Sequence, residues 1–216
     1  MRLRRKPWVD AAIHEFDDFV FSRGDERLLD LKGNWRREFP ADAPLYAEFG
    51  TGKGDFICAM AEKNPAVNFV GVELQQDVLY SAAKKAAARE LKNLRLAVFD
   101  INKAEELFAE KEIDRLYINF CDPWPKLRHA KRRLTHRNFL TIYQKILAPH
   151  GKLLFKTDNE GLFRFSLAEF AAQNLSAEKI TFDLHADNDT DNIMTEYEKK
   201  FSEKGQKICR AEVTFP

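Results

Sequence analysis

Short apolar runs alternate with helix-length segments along this chain, and that alternation restricts the fold more than any other feature. Residues 45–49, 67–72, 94–99, 114–120 and 151–156 read as strands. Helices are expected near 54–63, 76–90, 103–111, 136–147 and 159–173. Parallel neighbours need a crossover long enough to hold a helix, so this rhythm builds strand–helix–strand units and a mostly parallel sheet. Segments 179–184 and 207–215 add two closing strands. A short polar loop precedes the second of them, so that strand is expected to run antiparallel. The chain shows no repeat, low-complexity tract or long linker. The expectation is α/β: a single Rossmann-like domain over 1–216, with a seven-stranded sheet, helices on both faces and a basic N-terminal arm at about 1–10.

Composition excludes several classes. No apolar run approaches the roughly 20 residues of a membrane helix. The basic start through Lys6 is followed by Asp10, His14, Glu15, Asp17 and Asp18, which break any signal-peptide core. Cys58, Cys121 and Cys209 are far apart, so neither a disulfide framework nor a zinc knuckle is expected. A cytoplasmic protein with no membrane partner and no metal follows. The net charge of +1 conceals an uneven distribution. Between Pro123 and Thr157 there is no acid, while Lys126, Arg128, Lys131, Arg132, Arg133, Arg137, Lys145, Lys152 and Lys156 all fall there. Arg2, Arg4, Arg5 and Lys6 add charge at the start, and Asp183, Asp187, Asp189 and Asp191 compensate elsewhere. One strongly basic segment in a neutral chain points to a polyanion docking on one face.

The chemically pointed residues fall at the carboxyl ends of the expected strands, where open α/β sheets bind ligands. After the first comes Glu48-Phe-Gly50-Thr-Gly52-Lys-Gly54. Its glycines permit a tight turn and a close ligand. The third glycine comes one place too early for the dinucleotide fingerprint. Glu48 would repel a pyrophosphate but hold the ammonium of a methionine moiety. Glu73 stands about 20 residues past the loop, where an acid meets ribose hydroxyls. Asp100 closes the third strand and could accept from an adenine amino group or cap a helix. The fourth strand ends in Asn119-Phe-Cys-Asp122-Pro-Trp124-Pro-Lys126. Two prolines stiffen that loop, Trp124 could stack on a base, and the basic segment follows directly.

These motifs together resemble the bacterial tRNA (guanine-N7-)-methyltransferase family. The resemblance rests on the glycine loop, Gly71-Val-Glu73, residues 114–120, Asp122-Pro-Trp-Pro-Lys126 with Arg128-His-Ala-Lys-Arg-Arg133, Phe155-Lys-Thr-Asp158 and Thr195-Glu-Tyr-Glu198. It runs over nearly the whole chain. It implies a class I methyltransferase fold, with Glu48, Gly50, Glu73, Asp100 and Asp122 around S-adenosylmethionine and Asp122 also catalytic. Lys126, Asp158, Thr195, Glu196, Tyr197 and Glu198 would contact the substrate guanine and its neighbours. Arg128, His129, Lys131, Arg132 and Arg133 would meet the RNA. The implied partner is tRNA, bound by a monomer or homodimer. Cys121 and Pro125 stand where the family more often has Pro and His.

Guanine N7 carries an unprotonated lone pair on the major-groove edge. It can attack a sulfonium methyl without a general base, so catalysis reduces to alignment and to stabilising positive charge on the ring. A carboxylate at Asp122 suits the second task. A cation on N7 would block the nucleophile, so Lys126 is expected at O6, a phosphate or the ribose. Two rivals remain at this point. An exocyclic-amino methylase would want an Asp/Asn-Pro-Pro-aromatic loop, whose second proline is absent. A non-catalytic RNA-binding module would have no need of the intact strand-end acids.

Overall fold

The computed structural model describes residues 6–187, 189 and 192–216. Arg2, Arg4, Arg5 and Asp191 therefore lie outside the described residues. The chain forms two compact units that meet in sequence at Phe108 and Ala109. No helix among the described residues is long and apolar enough to cross a membrane.

The first unit holds helices α1 (Val9–Ala12), α2 (Leu28–Leu31), α3 (Asp55–Lys63), α4 (Gln76–Ala88) and α5 (Ala104–Leu107). Its strands are β1 (Val20–Phe21), β2 (Leu45–Phe49), β3 (Asn68–Glu73) and β4 (Leu94–Val98), in the order β1-β4-β3-β2 and all parallel. Ile57, Cys58 and Ala61 of α3 and Leu79, Ala82, Ala83 and Ala86 of α4 share a core with Phe69, Leu94 and Leu96. The alanines let α4 come very close to the glycine loop. A β-carbon on Gly54 would stand 2.5 Å from the Ala82 β-carbon, and the Gly54 φ of 79° is left-handed besides. Gly54→Ala is expected to cost about 1–3 kcal/mol from overpacking alone. A thermal melt unchanged from wild type would contradict that account of the contact.

β1 is a correction to the expected strand count, making eight strands in place of seven among the described residues. It is two residues long, too short to leave a periodic trace. Its Phe21 packs edge-on against Trp35, which stacks on Phe108 and donates through Nε1 to the Leu107 carbonyl at 2.9 Å. Burial of Phe108 also explains why the helix expected at 103–111 stops early, since the chain turns extended there to fill the core. Lys6 and Trp8 contact α4. The Lys6 amide donates to Asp77, Trp8 meets Tyr80 edge-on, and Val9 is buried.

The second unit contains β5 (Ile113–Asn119), β6 (Leu147–Thr157), β7 (Ser176–Thr181) and β8 (Cys209–Thr214), with α6 (Arg137–Ile146), α7 (Glu160–Ala172) and α8 (Glu196–Ser202). The order is β5-β6-β8-β7, with β5 and β6 parallel. As expected, the last strand runs antiparallel; it inserts between β6 and β7 and opposes both. Phe155 packs against Phe163 and Phe170 of α7. Arg137 ties α6 to α7 through three hydrogen bonds to Glu169, which hold that carboxyl below its usual range.

Candidate active site

In the first unit the parallel register brings the carboxyl ends of β2, β3 and β4 side by side. Phe49 pairs with Val72 and Glu73 with Val98. Glu48, second from the end of β2, is 2% exposed. Gly50, Gly52 and Gly54 all take positive φ, which turns the chain back from β2 into α3 within one short loop. The amides of Gly50 and Thr51 both donate to the Val72 carbonyl, at 2.9 and 3.1 Å, so the loop stays on the end of β3. A β-carbon built on Gly50 would meet nothing within 4 Å, so the loop leaves open space there.

Glu73 links that loop to the start of α4. One carboxylate oxygen accepts from the Gly52 amide at 3.1 Å and the other from the Gln75 amide at 3.0 Å. Each oxygen retains a second lone pair for a ligand hydroxyl. Asp100 caps the 3₁₀ turn Ile101–Lys103. Its Oδ1 accepts from the Asn102 amide at 3.0 Å and from the Asn102 side chain at 2.7 Å. The first unit thus brings Glu48, Gly50, Glu73 and Asp100 to adjacent strand ends around one left-handed loop.

In the second unit, β5 ends in a bent loop. Phe120 and Trp124 take φ of 52° and 41°, left-handed values that aromatic residues seldom adopt. Exposed Asp122 lies between them. Burial, then the adjacent Asp122 charge, push the Cys121 thiol up to about 12, which favours its protonated form at neutral pH. The loop runs into the 3₁₀ turn Leu127–Arg132. Lys126, Arg128, Lys131 and Arg132 are exposed there, as is Leu127. The Arg132 guanidinium lies 4.9 Å over the Trp124 ring, and His129 meets the same ring edge-on.

Arg133, which the resemblance assigns to RNA, is 8% exposed and points inward. Its Nε donates to the Pro123 carbonyl and its Nη2 to the Trp124 carbonyl, both at 3.1 Å. Adjacent basic residues look alike in a sequence, and only packing separates them.

Thr195 and Glu198, which the resemblance assigns to the substrate, both also have structural partners at the start of α8. Thr195 caps α8 by accepting from the Glu198 amide at 2.9 Å. Glu198 is 0% exposed, and its carboxylate takes the Lys156 ammonium at 2.8 Å and the Asn192 side chain at 2.7 Å. Thr-x-x-Glu is also the signature of a helix start, and that signal could have revealed the cap. Lys156, counted with the basic segment, is buried and also donates to the Asn192 side chain and the Ile193 carbonyl. Tyr197 is 40% exposed and donates its hydroxyl to Asp158 at 3.0 Å. Its ring lies against Phe120 and Phe201. Burial, then the Asp158 acceptor, push the phenol up to about 12, so it remains a donor at neutral pH. Glu196 opens α8, and its side chain lies outside the described residues.

Comparison with known proteins bears on both units. A family model described as "Putative methyltransferase" matches residues 42–211. A protein of Brevibacillus brevis is 46% identical over 215 residues, covering 99% of this chain and 98% of its own. One from Bacillus subtilis is 45% identical over 213 residues, with 99% and 98% covered. Both are named tRNA (guanine-N(7)-)-methyltransferase. Among solved structures, the 16S rRNA methyltransferase KamB matches with a TM-score of 0.61 at 13% identity, covering 90% of this chain and 94% of its own. An antibiotic-related methyltransferase matches with a TM-score of 0.58 at 15% identity over 99% and 96%. At such identities the likeness is one of fold.

Proposed function

The chain belongs to the tRNA (guanine-N7)-methyltransferase family, and on that premise we propose that it methylates N7 of a guanine in the variable loop of tRNA. The products are 7-methylguanosine and S-adenosylhomocysteine. The observation that carries this is the row of carboxylates at the ends of β2 and β3 and just past β4, beside an open left-handed glycine loop. That donor set fits S-adenosylmethionine. Acids at Glu48, Glu73 and Asp100 suit an ammonium, a ribose diol and an adenine amino group, and would repel a pyrophosphate. When bound, the cofactor supplies an electrophilic methyl carbon.

The protein's own groups then orient and stabilise. Asp122 is assigned as the catalytic carboxylate and as a cofactor residue; it would offset positive charge developing on the guanine ring. Asp158, Thr195, Glu196, Tyr197 and Glu198 are assigned to the guanine and its neighbours, and Lys126 to O6, the ribose or a phosphate. Arg128, His129, Lys131 and Arg132 take the RNA backbone. The same proposal has the chain working as one domain over 1–216, in the cytoplasm.

Incubation of unmodified tRNA with methyl-labelled cofactor, followed by nucleoside analysis, tests the assignment. The expected product is 7-methylguanosine; label in methyladenosine or methylcytidine would support an exocyclic-amino methylase instead. Glu73→Ala is expected to weaken cofactor affinity about ten- to a hundredfold, since a charge-assisted acceptor contributes roughly 1.5–3 kcal/mol. Affinity for tRNA should hold. Calorimetry showing undiminished cofactor binding would remove Glu73 from the site.

A further inference from the structure

We propose that Arg133 is a positioning residue that holds the bent loop carrying Asp122 in its working shape, and makes no contact with RNA. The proposal rests on the assignment of Asp122 to catalysis. Asp122 lies between two left-handed aromatic residues, Phe120 and Trp124. Such conformations persist only where the surroundings enforce them. Part of the enforcement comes from β6, whose Lys156 carbonyl accepts the Phe120 amide at 2.9 Å.

The segment beyond Asp122 is poorly equipped to hold itself. Pro123 and Pro125 have no amide hydrogens, so hydrogen bonds at those two nitrogens are impossible. Arg133 supplies donors from outside. Two nitrogens on one side of its guanidinium reach the carbonyls of Pro123 and Trp124. The Cζ of that group lies 4.3 Å from the centroid of the Phe165 ring of α7. A continuous chain of contacts therefore runs from α7 through Arg133 to the two residues that follow Asp122. Arg132, one residue earlier, is exposed and lies over the Trp124 ring instead. The two neighbours divide the labour, with Arg133 shaping the loop and Arg132 serving the surface.

The fork geometry sets the test, because lysine keeps the charge but cannot give two fixed, coplanar N–H groups. Arg133→Lys and Arg133→Gln are both expected to lower kcat about ten- to a hundredfold at saturating tRNA and cofactor. The KM for tRNA and the salt slope should stay as in wild type. In an Asp122→Ala background neither change should lower the rate further, since residues acting through one group are non-additive. Arg132→Ala should do the reverse, raising the KM and reducing the salt slope by about 0.7–0.9. A smaller salt slope in Arg133→Gln, restored in Arg133→Lys, would make Arg133 a phosphate contact and overturn the proposal. An equal loss with and without Asp122 would overturn it too. Amide exchange at residues 120, 121, 122 and 124 supplies an arm independent of activity. It should accelerate in Arg133→Lys while β5 keeps its protection, and unchanged exchange overturns the proposal. If unaltered protein methylates no tRNA, the functional assignment falls, and the exchange arm still decides whether Arg133 holds the loop.

Discussion

Asp122→Ala is expected to lower turnover ~10²–10³-fold at saturating tRNA and cofactor, the usual loss when one oriented electrostatic stabiliser is removed. The protein should stay folded, because Asp122 is exposed and its truncation leaves no buried group unpartnered. The size of the loss reflects the kind of help the reaction needs. N7 presents a free lone pair, so no proton has to leave before attack. Positive charge builds on the ring as the methyl arrives, and a carboxylate already in place requires no reorganisation to meet it. Asp122→Asn keeps the shape and removes the charge, so it should fall with the alanine variant. Recovery in Asp122→Asn would assign the residue to positioning. Near-normal turnover in both would exclude it from the mechanism.

Lys156→Met is expected to reduce stability by about 3–5 kcal/mol, the range for removing one partner of a buried ion pair. Glu198 is 0% exposed, and the substitution would strip the ammonium from its carboxylate. It would also release the Asn192 side chain and the Ile193 carbonyl, which that ammonium gathers. Adding Glu198→Gln removes the orphaned charge while keeping a partner for Asn192, so the double variant should be more stable than Lys156→Met alone. Urea midpoints at an unchanged m-value measure both effects. A loss below about 1 kcal/mol in Lys156→Met would mean that the pair is not a fastening of α8 to β6.

What could be read from the sequence was what periodicity and spacing encode. Five strands on a strand–helix rhythm give the parallel sheet, and the distance from the glycine loop to Glu73 gives the acid at the next strand end. The structure then adds what spacing cannot express. Glu73 also fastens the loop through Gly52, and Asp100 also caps a turn, so each carboxylate has a structural task beside the one proposed for ligand. β1 escaped notice because Val20 and Phe21 are too few to show alternation.

The packing of Arg133, Lys156 and Glu198 is not legible from charge and motif, because charge in a sequence carries no direction. Arg133 and Arg132 differ only in which way each side chain leaves the turn. Lys156 sits in β6 between Phe155 and Thr157, all three buried, and acceptors 36 to 42 positions later make its burial tolerable. Long-range pairing of this kind is invisible until the chain is folded.

The central claim is that the nucleophile is N7 of the variable-loop guanine of tRNA. The most direct measurement uses a tRNA in which that guanine alone is replaced by 7-deazaguanine, which retains the pairing edge and has C–H in place of the nucleophilic nitrogen. With methyl-labelled S-adenosylmethionine, incorporation should fall to background while the modified tRNA still competes fully for binding. Undiminished labelling of the 7-deaza tRNA would contradict the account.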